Sequence, residues 1–308
     1  MVAQVIQTRG LTRDFKTTRA LDNLTIDVQQ GTIFGFLGPN GAGKTTTIRL
    51  LLGLLEPTSG TATVLGYDTR THGGQIREKA GALLEHTGLY ERLTAYDNLE
   101  FYGRAWHLDA PQRAARIQEL LTHLGLWDRR TETVSTWSKG MKQKLAIART
   151  LLHRPELIFL DEPTAGLDPV AAAALHDDLM TLTASEGVSV FLTTHHLAEA
   201  EKLCDCVAVI RHGKLLTMGP PAQLSVGENR LVVTGDGFNE RVLSTLRQRP
   251  EVSAVQAQNH HIEITLKDHA DTAPLVNLLV TQGVNIEEVR KQAASLEEAF
   301  LTLVEDEA

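Results

Sequence analysis

Apolar and polar residues alternate through the first thirty positions, with Val5 and Ile6, Ala20 and Leu21, then Leu24, Ile26 and Val28 as the apolar members. A period of two marks strands buried on one face, so this stretch predicts short antiparallel strands. Residues 32–37 form an apolar run too short for a helix and lead into the glycine-rich segment 38–46. Residues 47–55 carry helical spacing and end near Glu56 and Pro57, a stop signal. From about 97 to 153 the pattern is mostly helical, and 110–124 and 139–152 place apolar residues three and four apart. Short apolar runs at 157–160, 188–192 and 207–210 alternate with helical segments. Such alternation predicts βαβ units and a parallel sheet covered on both faces.

A second unit starts near 227–230. Its order is strand (231–234), helix (239–249), strand (252–257), strand (261–266), helix (272–282), strand (284–289). That βαββαβ order predicts a small α+β domain of ferredoxin-like fold. The expected domains are 1–226, with a helical insert at about 90–153, and 227–308. No fixed-period repeat or low-complexity segment interrupts them.

Composition narrows the function. No apolar run approaches the roughly 18 residues of a membrane helix; Leu50 to Leu55 is among the longest, and Gly53 breaks it. The first ten residues lack the apolar stretch of a signal peptide. A cytoplasmic chain is expected, with any membrane role supplied by a partner. Net charge is −8, and from Arg230 onward 13 acidic residues face 7 basic ones. A phosphate-backbone binder has the opposite balance, so no nucleic-acid partner is expected. Cys204 and Cys206 stand without any other cysteine and read as free thiols.

The segment Gly38-Pro39-Asn40-Gly41-Ala42-Gly43-Lys44-Thr45, followed by Thr46, fits G-x-x-x-x-G-K-[ST]. Glycines let the backbone curl so that successive N–H groups point at phosphate oxygens, and the following helix adds its positive end. In this pattern Lys44 would bridge the β- and γ-phosphates of a nucleotide and the Thr45 hydroxyl would sit on Mg²⁺. Chance matches to four fixed positions arise in a chain this long about once in a hundred. The strand-to-helix setting lowers those odds further.

Leu157-Ile158-Phe159-Leu160-Asp161-Glu162 is an apolar strand ending in two carboxylates. Strands of open α/β sheets deliver their C-terminal residues to the ligand crevice. Asp161 is therefore the candidate Mg²⁺ holder and Glu162 the candidate base for an attacking water. Asp-Glu-Pro is also good turn chemistry; the loop at Lys44 favours the catalytic reading.

Trp137-Ser138-Lys139-Gly140-Met141-Lys142-Gln143 resembles the L-S-G-G-Q signature of the ABC superfamily, and Ser138 precedes Asp161 by 23 residues, as in that family. Asp161-Glu162-Pro163-Thr164-Ala165-Gly166-Leu167-Asp168 resembles its Walker B segment and D-loop together, and His195 falls at its switch histidine. The resemblance implies a P-loop NTPase core of ABC type, with an N-terminal antiparallel β-subdomain and a helical insert. It implies ATP sandwiched between Lys44 of one subunit and Ser138, Lys139 and Gly140 of another. It further implies Asp168 at that interface, His195 sensing the γ-phosphate and Phe15 stacking on adenine. For Phe15 core packing competes, and for His195 a buried or capping role does.

Two departures from the family pattern stand out. Glu85 occupies the register of the Q-loop glutamine, where it would serve as an oxygen ligand while adding negative charge; Lys139 and Met141 replace signature residues. The stretches 88–94, 193–201 and 295–300 resemble the ATPases of type-two export systems for drugs, antibiotics, lipids or ions. Ser295 and Glu298 there form a candidate capping box for a last helix. The implied protein is an ATP-hydrolysing subunit, paired with itself or a second ATPase subunit, on the inner face of the membrane beneath an integral permease. An ABC ATPase acting on nucleic acid or ribosomes is the rival, but one P-loop and no sustained heptads speak against it. A weakly hydrolysing regulator conflicts with intact Lys44, Asp161 and Glu162.

Overall fold

Every residue of β4 (Ile33–Leu37) and β9 (Ser189–Thr194) is buried, as are the first four of β8 (Leu157–Asp161). Strands apolar on both faces must be covered on both, so they lie inside a sheet. In the computed structural model, which describes residues 3–224, 229–258, 260–267 and 271–292, this sheet is six-stranded. Its order is β11 (Lys214–Gly219), β10 (Cys206–Arg211), β4, β9, β8, β7 (Ala80–Leu83). All neighbours are parallel except the edge pair β10 and β11. The rings of Phe34, Phe36 and Phe159 each lie 5.5–5.6 Å from that of Phe191, so the strands are locked through one aromatic cluster. Parallel pairing sets Leu37 opposite Thr194 and Asp161 opposite Thr193, and thereby aligns the C-terminal ends of three strands.

The N-terminal strands are not all short. β1 (Gln4–Phe15) runs twelve residues, with β2 (Thr18–Leu24), β3 (Asp27–Gln29) and β5 (Ser59–Val64) pairing along it. Register shifts along β1 let one strand serve all three partners, which is why its alternation reads as several strands. β6 (Tyr67–Asp68) completes this antiparallel sheet.

The helix after β4 also differs from expectation. α1 is Lys44–Leu51 rather than 47–55. Gly43, at φ 110°, turns the chain so that the helix begins with Lys44; Gly53, at φ 63°, lies just past its end. α2 (Gly73–Lys79) precedes β7. The insert contains α3 (Ala95–Ala105) and α4 (Ala110–His123), each with a side-chain cap, Thr94 and Asp109. α5 (Lys139–Leu151) leads back to β8. Arg113 donates 2.6 and 2.8 Å hydrogen bonds to Glu100, tying α4 to α3 and holding the Glu100 carboxyl below its ordinary range. Arg116, almost wholly buried, donates to both oxygens of Glu186 and to the Leu151 carbonyl, all at 2.7 Å. α6 (Pro169–Glu186) and α7 (Leu197–Leu203) flank β9 in sequence.

The chain divides into two compact units, Met1–Pro220 and Pro221–Ala308. The second holds α8 (Pro221–Leu224), β12 (Asn229–Asp236), α9 (Glu240–Arg247), β13 (Val252–Gln258), β14 (His261–Leu266), α10 (Ala273–Thr281) and β15 (Asn285–Gln292). Its sheet is antiparallel in the order β13-β14-β12-β15. Leu231, Val233, Ile262 and Ile264 pack with Leu246 of α9 and Leu275 and Leu279 of α10 to form a separate core. The candidate capping box at Ser295 and Glu298 lies outside the described residues. Among the described residues no helix is long and apolar enough to cross a membrane. Cys204 and Cys206 are free, and burial raises both thiols' pKa, so neither is a ready nucleophile.

Candidate functional site

The loop between β4 and α1 curls where only glycine fits. A Cβ at Gly38 would run into the Ile210 carbonyl, and one at Gly43 would lie 2.5 Å from the Ala20 carbonyl. The loop therefore sits flush against its neighbours, and α1 starts without a side-chain cap, its first N–H groups facing the loop. Lys44, 6% exposed, turns its ammonium inward and donates to the carbonyls of Gly38 at 2.7 Å and Pro39 at 3.2 Å.

Across this loop stand the two acids that end β8. The Thr45 hydroxyl donates to Asp161 Oδ2 at 2.7 Å, and the Thr193 hydroxyl donates to Asp161 Oδ1 at 2.6 Å. Lys44 Nζ lies 3.0 Å from Glu162 Oε1, and His195 Nδ1 lies 3.0 Å from Glu162 Oε2. The Glu162 backbone N–H is shared between the hydroxyl and carbonyl of Thr193, at 3.0 and 3.1 Å. Glu162 itself sits at φ 49°, a left-handed conformation that costs a non-glycine residue about 1–3 kcal/mol. The chain turns sharply there, which aims the carboxylate back toward Lys44.

A cavity of about 340 Å³ opens beside these groups, bounded by Asn40, Thr45, Glu85, Lys139, Asp161 and Glu162 among others. A smaller one of about 180 Å³ is bounded by Ala20, Asn40, Gly41, Gly43 to Thr46 and Glu162. The two share Asn40, Thr45 and Glu162. Thr45 and Asp161 present hard oxygen donors 2.7 Å apart on the cavity wall, a donor set suited to Mg²⁺.

The remaining expected residues fall outside these walls. Phe15 ends β1 and is 39% exposed, with the Arg13 guanidinium 4.5 Å from its ring centre, so it is not a core side chain. Ser138 caps α5, accepting from the Met141 N–H at 3.3 Å. Asp168 caps α6, accepting from the Ala171 N–H at 2.9 Å. Gly140 permits the two helices to approach, since a Cβ there would lie 3.2 Å from that of Ala171. His196 lies beside His195, with 4.1 Å between ring centres, but it is His195 that meets Glu162. Sequence reasoning passed over Thr193, whose hydroxyl bridges the Asp161 carboxylate and the Glu162 backbone N–H; its one signal is a pair of threonines closing the buried run of β9.

A phosphate loop facing an acid pair, on a parallel sheet with a helical insert, is the layout of an ATP-hydrolysing cassette, and comparison with known proteins agrees. Residues 21–165 match the ABC transporter family. The chain is 33% identical over 303 residues to the bacitracin transport ATP-binding protein BcrA of Bacillus licheniformis, with 98% of each chain covered. It is 38% identical over 270 residues to a fluoroquinolones export ATP-binding protein of Mycobacterium tuberculosis, covering 84% of this chain and 88% of that one. A solved structure of the ATP binding subunit of an ABC transporter matches at 32% identity and TM-score 0.63, covering 71% of this chain and 91% of that one. The chain belongs to the ABC transporter family as an ATP-binding subunit, and it groups with the drug-export members. It is an ATPase that powers transport by a partner membrane permease.

Proposed function

We propose that the chain drives export, and that ATP lies with its phosphates on the 38–46 loop and its terminal phosphate toward Glu162. Export rests on the fluoroquinolones relative, whose name states it. The observation that carries the site is the convergence of Lys44 and His195 on the two oxygens of Glu162, each at 3.0 Å. Lys44 would exchange that carboxylate for phosphate oxygens, leaving Glu162 free to accept a proton from the attacking water. As the water oxygen bonds to the terminal phosphorus, the bond to the bridging oxygen breaks and ADP leaves. His195 would hold Glu162 and the phosphate in register. Mg²⁺, held by Thr45 and Asp161 with Glu85 near the same cavity, would supply charge to the departing phosphates.

Ser138, Lys139 and Gly140 at the start of α5 offer a hydroxyl, N–H groups and an ammonium for the nucleotide of a second copy, with Asp168 at the same interface and Phe15 against the adenine. Lys139 also borders the cavity of its own chain. The working unit is thus a pair of ATPase subunits, peripheral on the cytoplasmic face of the membrane. The exposed rings of Tyr90, five residues past Glu85, and Phe101, 4.9 Å apart, would seat the permease's cytosolic segment. The second unit, whose strand order supports a ferredoxin-like fold, would serve as an accessory domain.

The test is sedimentation of Glu162→Gln with Mg²⁺ and ATP. A dimer that dissolves when ATP is withdrawn is expected; a strict monomer, even with the permease supplied, would overturn the paired site.

A further inference from the structure

Behind the catalytic acids lies a contact that joins three separate elements. Thr164, two residues past Glu162 and only 4% exposed, donates its hydroxyl to Glu199 Oε2 at 2.7 Å. Glu199 stands in the first turn of α7, four residues past His195. The same Glu199 oxygen lies 3.6 Å from Nε2 of His176 on α6. Burial lowers the His176 pKa, with Lys202 acting in the same direction and Glu199 and Asp177 opposing, so the ring is neutral at pH 7. The Glu199 carboxylate accepts the Thr164 hydroxyl as a charge-assisted hydrogen bond.

This contact spans the two sides of the reaction centre. Glu162 sits in a left-handed turn that needs support, and the turn after it is closed by backbone bonds from Ala165 to Glu162 and from Leu167 to Thr164. His195 stands between β9 and α7, and α7 begins without a side-chain cap. Fastening Thr164 to Glu199 fixes the turn against the helix, and so fixes Glu162 against His195. We propose that Glu199, through Thr164, is a positioning residue for hydrolysis: it holds the base and the switch histidine in their 3.0 Å register without touching ATP. The inference rests on the ATPase reading of Glu162 and His195.

The test measures phosphate release and binding of a fluorescent ATP analogue, with Mg²⁺, on the full chain. Thr164→Val and Glu199→Ala are each expected to lower kcat about ten-fold or more, as loss of a charge-assisted bond in a transition-state assembly does, with KM and analogue affinity nearly unchanged. Glu199→Gln keeps an oxygen acceptor for the hydroxyl and should hold kcat within about three-fold of wild type. The double variant should be no slower than the worse single, because both remove one contact. Wild-type kcat in both single variants overturns the proposal, as does a loss confined to KM, a Glu199→Gln variant as slow as Glu199→Ala, or losses that multiply. These outcomes leave the ATPase reading intact; a wild-type chain that binds no ATP overturns both.

Discussion

Lys44 and Glu162 form an ion pair, 3.0 Å from Nζ to Oε1, with the lysine 6% exposed. The cation expected to grip phosphate therefore holds the base expected to attack through water, and nucleotide must displace one from the other. Glu162→Gln removes the proton acceptor but leaves a neutral side chain beside Lys44. Turnover should fall about 10²-fold or more while ATP affinity is kept or improved, read by phosphate release and by equilibrium binding. Lys44→Ala should weaken binding itself by about ten-fold or more, since charge-assisted contacts to phosphate are lost.

Asp161 accepts from Thr45 and Thr193 on separate oxygens. Asp161→Asn presents an amide nitrogen to one of these hydroxyls and removes the anionic metal donor. The Mg²⁺ concentration for half-maximal ATPase activity should rise about ten-fold or more. An unchanged Mg²⁺ titration would remove Asp161 from the metal site.

Glu85 and Lys139 line the same cavity as Asp161 and Glu162. Their charges offset one another in the field that phosphates meet. Glu85→Gln should tighten MgATP binding and Lys139→Gly should weaken it, each by up to about ten-fold, or roughly 1.4 kcal/mol. The double variant should return to within about three-fold of wild type. Equal losses in both single variants would show that the two act through shape and not charge.

His153 stacks on Trp106 at 3.9 Å and meets the Ala80 carbonyl at 3.3 Å. Burial lowers its pKa to about 4, reinforced by the nearby Arg116 and Arg149 and opposed by the Ala80 hydrogen bond. The unfolded imidazole protonates near pH 6.5 and the folded one only near pH 4, so this group destabilises the fold progressively as pH falls between those values. His153→Phe keeps the ring and cannot titrate. Its Tm should fall less than that of wild type between pH 6.5 and pH 4, by a few degrees for each kcal/mol recovered, on the order of 2–4 °C. Parallel Tm curves would count against the assignment.

Much of the architecture was legible because burial leaves a simple mark. β4, β8, β9 and β10 are apolar runs bounded by turn residues, and the tail's order of strands and helices follows from clean alternation. What escaped was built from small or polar residues. β5 is Ser-Gly-Thr-Ala-Thr-Val and α2 starts with two glycines, so neither carries a strong period. The start of α1 depended on a left-handed glycine, and a spacing argument cannot see a dihedral angle. For the site, residue types named the phosphate loop and the two acids. That Lys44 would meet Glu162, 118 positions away, and that the Thr193 hydroxyl would bridge the Asp161 carboxylate and the Glu162 backbone N–H depend on tertiary placement and strand register; that Glu162 would adopt positive φ is a dihedral the spacing does not encode.

The hydroxyl of Thr193 gives its proton to one acid and takes an amide proton from the next. A single oxygen is thereby a rivet through β8 and β9, and the strand it belongs to leads two residues later to His195. A shift of the Asp161 carboxylate would therefore be felt in β9 through this oxygen, and Glu162 would feel it through its backbone amide. One hydroxyl thus keeps the metal-facing acid, the backbone of the base and the strand that carries the histidine in a common register.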